Sequence, residues 1–240
     1  MSKTILLLDD DRSFRSLLLP LLQSRGYRVL EAGRVAEATA LLTKKPDLIV
    51  VDGLLPDGDG AAFIKSLPES SRKVPLVFVS AFWKSLREHQ TLQRELGVAL
   101  IVHKPVAPET LCEQLDRLLG AHAAPKLSPE LQAEMDKLHA EYGRELPAKL
   151  DELRRAVRRA RERPSEVKLQ QEARTLAHRL SGTAGSYGFP DESSAAAVIE
   201  AQAIAAASAR PGEVDRCWAL AEATATDALG ARLEREFSAS

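Results

Sequence analysis

The sequence predicts two folds in series: an α/β domain on a doubly wound, five-stranded parallel sheet, then an all-α antiparallel four-helix bundle. Three observations carry this expectation. Five short apolar runs alternate with helical patterns over the first 120 residues, the signature of a parallel sheet with helices on both faces. The composition then shifts to an Ala/Pro stretch at 121–128. Beyond it nothing reads as a strand, and apolar residues recur at helical spacing to the end. The expected domains are therefore 1–120, a linker at 121–128, and 129–240.

The elements follow from local signals. Thr4 to Leu8 is a short apolar strand running into Asp9-Asp10-Asp11. Ser13 to Arg25 reads as a helix, with Phe14, Leu17, Leu18, Leu21 and Leu22 on one stripe and Gly26 as its stop. Pro20 lies inside it and is expected to kink it or loosen one turn. Tyr27 to Glu31 is the second strand and Val35 to Leu42 the next helix. Leu48-Ile-Val-Val-Asp52 is an apolar run without alternation, hence a strand buried on both faces. Gly53, Pro56, Gly58 and Gly60 then enforce a loop before a short helix at Ala61–Leu67. Pro75 to Val79 and Val98 to Val102 are the last strands, separated by a helix at Lys84–Leu96. Pro108 to Leu119 is a helix with Gly120 at its C′ position.

In the second half Leu131, Met135, Leu138, Tyr142, Leu146, Leu150, Leu153 and Val157 keep one stripe. Pro147 falls inside that series, so either one kinked helix or two helices in register is expected. Further helices are predicted at Glu166–Tyr187, Asp191–Ala209 and Glu213–Phe237.

Composition excludes several classes. A net charge of -1 gives no pull toward nucleic acid or a membrane surface. Cys112 and Cys217 lie far apart in helical patterns, which suits reduced thiols in a cytoplasmic protein. No apolar run is long enough to span a bilayer.

The chemistry of the first half gathers at one sheet edge. Strand ends carry Asp9-Asp10, Asp52, Ser80-Ala81 and Lys104-Pro105, and in a parallel sheet these ends share the edge where ligands bind. Clustered carboxylates raise one another's pKa unless a cation joins them. Hard oxygen donors of this kind suit Mg²⁺. Lys104 is placed to pair with a phosphate oxygen, and Ser80 to donate a hydrogen bond to another.

With Pro56 and the Asp59-Gly60 pair added, residues 1 to about 120 resemble a response-regulator receiver domain. The resemblance implies the strand order 2-1-3-4-5 and Mg²⁺-dependent transfer of a phosphoryl group from a phosphohistidine to Asp52. It also implies Asp10 as a direct metal ligand, Asp9 as a ligand directly or through water, and the backbone carbonyl of Leu54 as a further one. One position departs from the family: Ile101 stands where Tyr or Phe is usual, with Phe82 and Trp83 nearby in sequence as aromatic packing residues or substitutes.

The second half has one distinctive stretch, from Leu176 to Phe189. Leu169, Ala173, Leu176, Leu180 and Ala184 form the expected core stripe, with His178 beside it toward solvent. Gly182 and Gly185 follow four and seven residues later on the same helical face. Glycine inside a helix costs about 1 kcal/mol relative to alanine, so two on one face point either to close helix packing or to a surface a partner must approach.

The residues His178, Leu180, Gly182, Ala184 and Gly188 are similar to the core of a histidine phosphotransfer (HPt) domain. The resemblance implies that His178 carries a phosphoryl group. Ser181 stands where the family has lysine, and Arg179 is the candidate for the missing positive charge. The basic run Arg154, Arg155, Arg158, Arg159, Arg161 and Arg163 reads as a solvated face paired with nearby acids, or as a docking face for an acidic receiver edge.

These readings combine into a phosphorelay protein that accepts a phosphoryl group on Asp52 and carries one on His178. No ATP-binding motif is present, so an acceptor and transfer protein is expected rather than a kinase. Its partners would be a histidine kinase or other receiver and HPt proteins, with neither membrane nor nucleic acid. Two alternatives stay open: a bundle that serves as a receiver-switched interaction module, or the sensory front of a longer regulator with an output domain such as a diguanylate cyclase or DNA-binding domain.

Overall fold

A computed structural model describes residues 2–81, 91–120 and 128–238. The chain divides into two compact units, residues 1–138 and 139–240.

The first unit is built on a five-stranded parallel sheet. Its strands are β1 (Thr4–Leu8), β2 (Arg28–Ala32), β3 (Leu48–Asp52), β6 (Leu76–Ser80) and β7 (Leu100–His103), in the order β2-β1-β3-β6-β7. Counted within the sheet this is 2-1-3-4-5, as expected. β3 and β6 are buried along their whole length, which is why their sequences are apolar without alternation. The register pairs Leu8 with Val51, and Asp52 with Val79. The ends of β1, β3 and β6 therefore align at one edge.

The helices of this unit are α1 (Arg12–Ser24), α2 (Val35–Leu41), α3 (Gly60–Ser66), α4 (Glu69–Arg72) and α5 (Pro108–Leu119). Asp11 caps α1 by accepting from the Ser13 amide, and the helix continues through Pro20. The loop after Asp52 is more ordered than its glycines suggest. Leu54–Leu55 (β4) and Gly58–Asp59 (β5) pair as a small antiparallel hairpin. At its turn Asp57 accepts from the amides of Val35 and Ala36 at the start of α2, which holds its carboxyl below the usual range. Asp59 caps α3 through the amides of Ala61 and Ala62. α5 is tied back by a polar cluster: Asp116 accepts from the Tyr27 hydroxyl at 2.6 Å and from Arg25 Nε at 3.2 Å. Burial, reinforced by Asp116, pushes the Tyr27 phenol up and keeps it a donor. Gly120 closes α5 at φ 69°, the left-handed cap that glycine adopts without a Cβ penalty.

Of the helix expected at Lys84–Leu96, residues 84–90 lie outside the described residues, and 91–95 form a π-helical turn. Phe82 and Trp83 also lie outside them. Ile101 packs half-buried against the core on this side of the sheet.

The remaining helices are α6 (Pro129–Glu162), α7 (Val167–Thr183), α8 (Pro190–Ser208) and α9 (Pro211–Ser238). α6 is one helix, and the division between the two compact units falls inside it. Pro147 lacks the N–H that would bond the Gly143 carbonyl. That carbonyl instead accepts from Arg232 Nη2 of α9 at 3.1 Å. Gly143 itself lets Phe189 approach, since a Cβ there would lie 3.1 Å from the ring. The core of this unit includes Tyr142, Leu146, Leu150, Leu153 and Val157 from α6, Ala173 and Ala177 from α7, Ile199 and Ala203 from α8, and Trp218 from α9. Alanine dominates because helices of a bundle approach closely where side chains are small.

Candidate functional site

The receiver-type site forms where β1, β3, β6 and β7 end. Lys104 follows β7, and its ammonium lies 2.6 Å from Asp9 Oδ2 and 3.2 Å from Asp52 Oδ1. All three side chains are buried, at 4%, 2% and 1% exposure. The ammonium also stands 4.2 Å from the centre of the Phe14 ring, a cation–π contact that helps hold it in a dry place. Burial alone would strip the proton from Lys104, but the charges of Asp52 and Asp9 outweigh it and push its pKa up. Asp9 shows the opposite balance. Burial, aided by Asp52 and Asp11, outweighs Lys104 and pushes its carboxyl up to about 7.

Asp10 is half-exposed, and it offers a carboxylate oxygen within 4.8 Å of those of Asp9 and Asp52. Three hard oxygen donors, one facing solvent, fit a divalent cation that keeps some of its waters. Leu54 sits two residues beyond Asp52 and pairs with Asp59 across the hairpin. Ser80, buried at the end of β6, accepts at its carbonyl from the Lys104 amide at 2.9 Å. Two glycines allow this crowding. A Cβ on Gly53 would lie 2.9 Å from Ser80 Oγ, and one on Gly60 would lie 2.0 Å from the Asp52 carbonyl oxygen.

The second site lies between α7 and α8, and here the structure corrects the sequence reading. His178 is not turned to solvent; it is 4% exposed. Its Nδ1 lies 2.8 Å from Glu200 Oε1 of α8, a carboxylate that is itself 3% exposed. The expected core stripe is rotated accordingly, and the buried set of α7 is Ala173, Ala177, His178, Leu180, Ser181, Gly182 and Thr183. Gly182 shares this buried face. Gly185 does not continue it, because α7 ends at Thr183 and Gly185 begins a 3₁₀ turn that closes at Gly188, φ 81°. Arg179 is half-buried.

Ser181, where lysine was expected, is used inwardly. Its hydroxyl lies 2.9 Å from the His178 carbonyl and 3.3 Å from Glu200 Oε2, and its own carbonyl accepts from Ser193. Glu200 is the residue that sequence reasoning missed. A glutamate 22 positions from the histidine, among alanines on the next helix, gives no local signal of its partner.

The arginine run is resolved as an ion-paired face. Arg154 and Arg155 pair with Asp151, Arg158 with Glu162, Arg159 with Glu172, Arg161 with Asp215 and Glu222, and Arg163 with Glu166.

With both sites described, the family follows. Residues 5–116 match the response regulator receiver domain family, and residues 137–238 match the Hpt domain family. The chain is a receiver domain followed by an Hpt domain, the organisation of a two-component phosphorelay protein. Among curated relatives it is similar to the KDP operon transcriptional regulatory protein KdpE of Escherichia coli (strain K12), 33% identical over 121 residues, 50% of this chain and 52% of that protein. It is also similar to the transcriptional regulatory protein CssR of Bacillus subtilis (strain 168), 31% identical over 119 residues, again 50% of this chain and 52% of that one. The chain thus spans about half the length of the curated relatives it matches. Among solved structures, the chemotaxis protein CheY4 of Vibrio cholerae aligns over 49% of this chain and 99% of its own, with 28% identity and a TM-score of 0.46. Among the described residues no helix is long and apolar enough to cross a membrane.

Proposed function

We propose that this chain carries phosphoryl groups at two places, on the Asp52 carboxylate and on the imidazole of His178, and exchanges them with a histidine kinase or with other receiver and HPt proteins. One observation carries the reading. Each half of the chain buries the side chain assigned here as acceptor beside a group suited to that role, Lys104 beside Asp52 and Glu200 beside His178.

At the first site, an Asp52 oxygen attacks the phosphorus of a donor phosphohistidine. The new P–O bond forms as the P–N bond breaks, and the imidazole leaves. Lys104 then balances charge on the transferred group, and Ser80 offers it a hydroxyl. Mg²⁺ held by Asp9, Asp10, Asp52 and the Leu54 carbonyl would neutralise the incoming phosphoryl oxygens. At the second site, the Glu200 carboxylate accepts from Nδ1–H, which fixes the tautomer and leaves the lone pair on the buried Nε2. Attack by Nε2 on a phosphoaspartate breaks the acyl P–O bond and releases the carboxylate. The ring becomes cationic while keeping its Nδ1 proton, and Glu200 compensates that charge.

The test is labelling of the full chain with radioactive phosphoramidate and Mg²⁺, followed by acid and alkaline treatment. The proposal expects an alkali-sensitive label lost in Asp52→Asn and an acid-labile, alkali-stable label lost in His178→Gln. An absent second label would reduce the bundle to an interaction module.

A further inference from the structure

Resting on the reading of His178 as a phosphoryl carrier, we infer that Arg174 is the residue that binds the phosphoryl group there, replacing the lysine that Ser181 displaces. A phosphoryl dianion beside a buried carboxylate needs a cation. Nothing at position 181 supplies one, because the Ser181 hydroxyl is directed at the His178 carbonyl and Glu200.

Three features single out Arg174. The first is position. At 3.6 residues per turn, Arg174 lies about 40° around the helix from His178, and position 181 about 60°. Arg179 is about 100° away. Residues four apart are surface neighbours on a helix. The second is direction. Helical side chains lean toward the N-terminus and cover the preceding turn. That lean inclines the imidazole of His178 toward the turn that carries Arg174, while Glu200 of α8 holds its Nδ1. The third is availability. Arg174 is half-buried, its Nε is buried without a hydrogen-bond partner, and among the described residues it forms no ion pair. The five arginines toward the end of α6 and Arg163 just beyond it, by contrast, are all paired. A planar guanidinium with a free edge suits two oxygens of a phosphoryl group better than an ammonium does.

The experiment uses the full chain with Asp52→Ala, so that only the histidine reports, and phosphoramidate as donor. In that reaction the Nε2–P bond forms as the donor P–N bond breaks, and ammonia leaves with the electron pair. The readouts are the extent and lifetime of the acid-labile label and its ³¹P resonance, with helix content followed in parallel. Arg174→Met keeps the stem and removes the charge. It should lower the label or shorten its lifetime roughly tenfold, as for loss of a charge-assisted hydrogen bond. Arg174→Lys, which keeps the charge but not the planar fork, should restore part of it, and Arg179→Met should have the smaller effect. Labelling unchanged in Arg174→Met would overturn the assignment while leaving His178 as carrier. Equal loss in the Met and Lys variants would also overturn it, since shape rather than charge would then matter. Absence of label in the Asp52→Ala parent would instead remove His178 as the carrier, and this inference with it.

Discussion

Asp9 carries the pH dependence of the receiver site. Its carboxyl is pushed up to about 7 by burial beside Asp52. The folded state therefore holds a proton that the unfolded chain loses near the ordinary aspartate value of about 3.9, and without a cation stability falls as pH rises from there to about 7. Binding Mg²⁺ must expel this proton. Affinity should thus rise with pH until about 7 and level off above, being roughly tenfold weaker one unit below the plateau. Isothermal titration with Mg²⁺ across that range checks the slope; a flat profile would mean that Asp9 is already ionised. At the other site, Glu200→Gln should keep a hydrogen-bonding group but lose the charge that offsets a phosphorylated ring. We expect roughly a tenfold lower yield of phosphohistidine, as for loss of a charged hydrogen-bond partner, with helix content unchanged. Equal yields by acid-labile labelling would deny Glu200 its role. The receiver residues were legible because strand ends in a parallel sheet converge by topology. The surroundings of His178 were not, since helical periodicity places a residue on a face without saying which neighbouring helix will reach it.

Among the elements, the β4–β5 hairpin shows what glycine composition hides. The sequence reads Gly53 to Gly60 as a loop, whereas the Asp57 and Asp59 carboxylates order it by accepting from backbone amides at the starts of α2 and α3. Gly60 is the point of closest approach, where an added Cβ would meet the Asp52 carbonyl oxygen at 2.0 Å. Gly60→Ala should therefore push the backbone away, destabilise the receiver by about 1–3 kcal/mol and weaken binding of beryllofluoride with Mg²⁺. Denaturant unfolding and fluoride titration read the two effects; wild-type values in both would show that the loop can yield. The paired arginines of α6 should behave differently. Arg159 and Glu172 are both exposed ends of a surface pair, and Arg159→Ala should cost no more than about 1 kcal/mol, as measured by urea unfolding. Pro147 illustrates a third outcome: its helix-breaking tendency was legible, but the Arg232 guanidinium that takes up the freed Gly143 carbonyl comes from 89 residues away.

For the whole molecule, the sequence anticipated the order of the two folds and most of the elements, because alternating strands and helices and an Ala-rich helical tail differ in period along their entire length. The division between compact units inside α6 had no signal, since an amphipathic helix reads the same on either side of it. On the proposed reading, one chain carries two chemically distinct phosphoryl acceptors. Intact-protein mass spectrometry at neutral pH, where both labels persist, after exposure to phosphoramidate and Mg²⁺, decides it. Species with one and two added phosphoryl groups are expected in the wild type, at most one in Asp52→Ala or in His178→Gln, and none in the double variant. Two groups persisting in either single variant, or any group in the double variant, would contradict it.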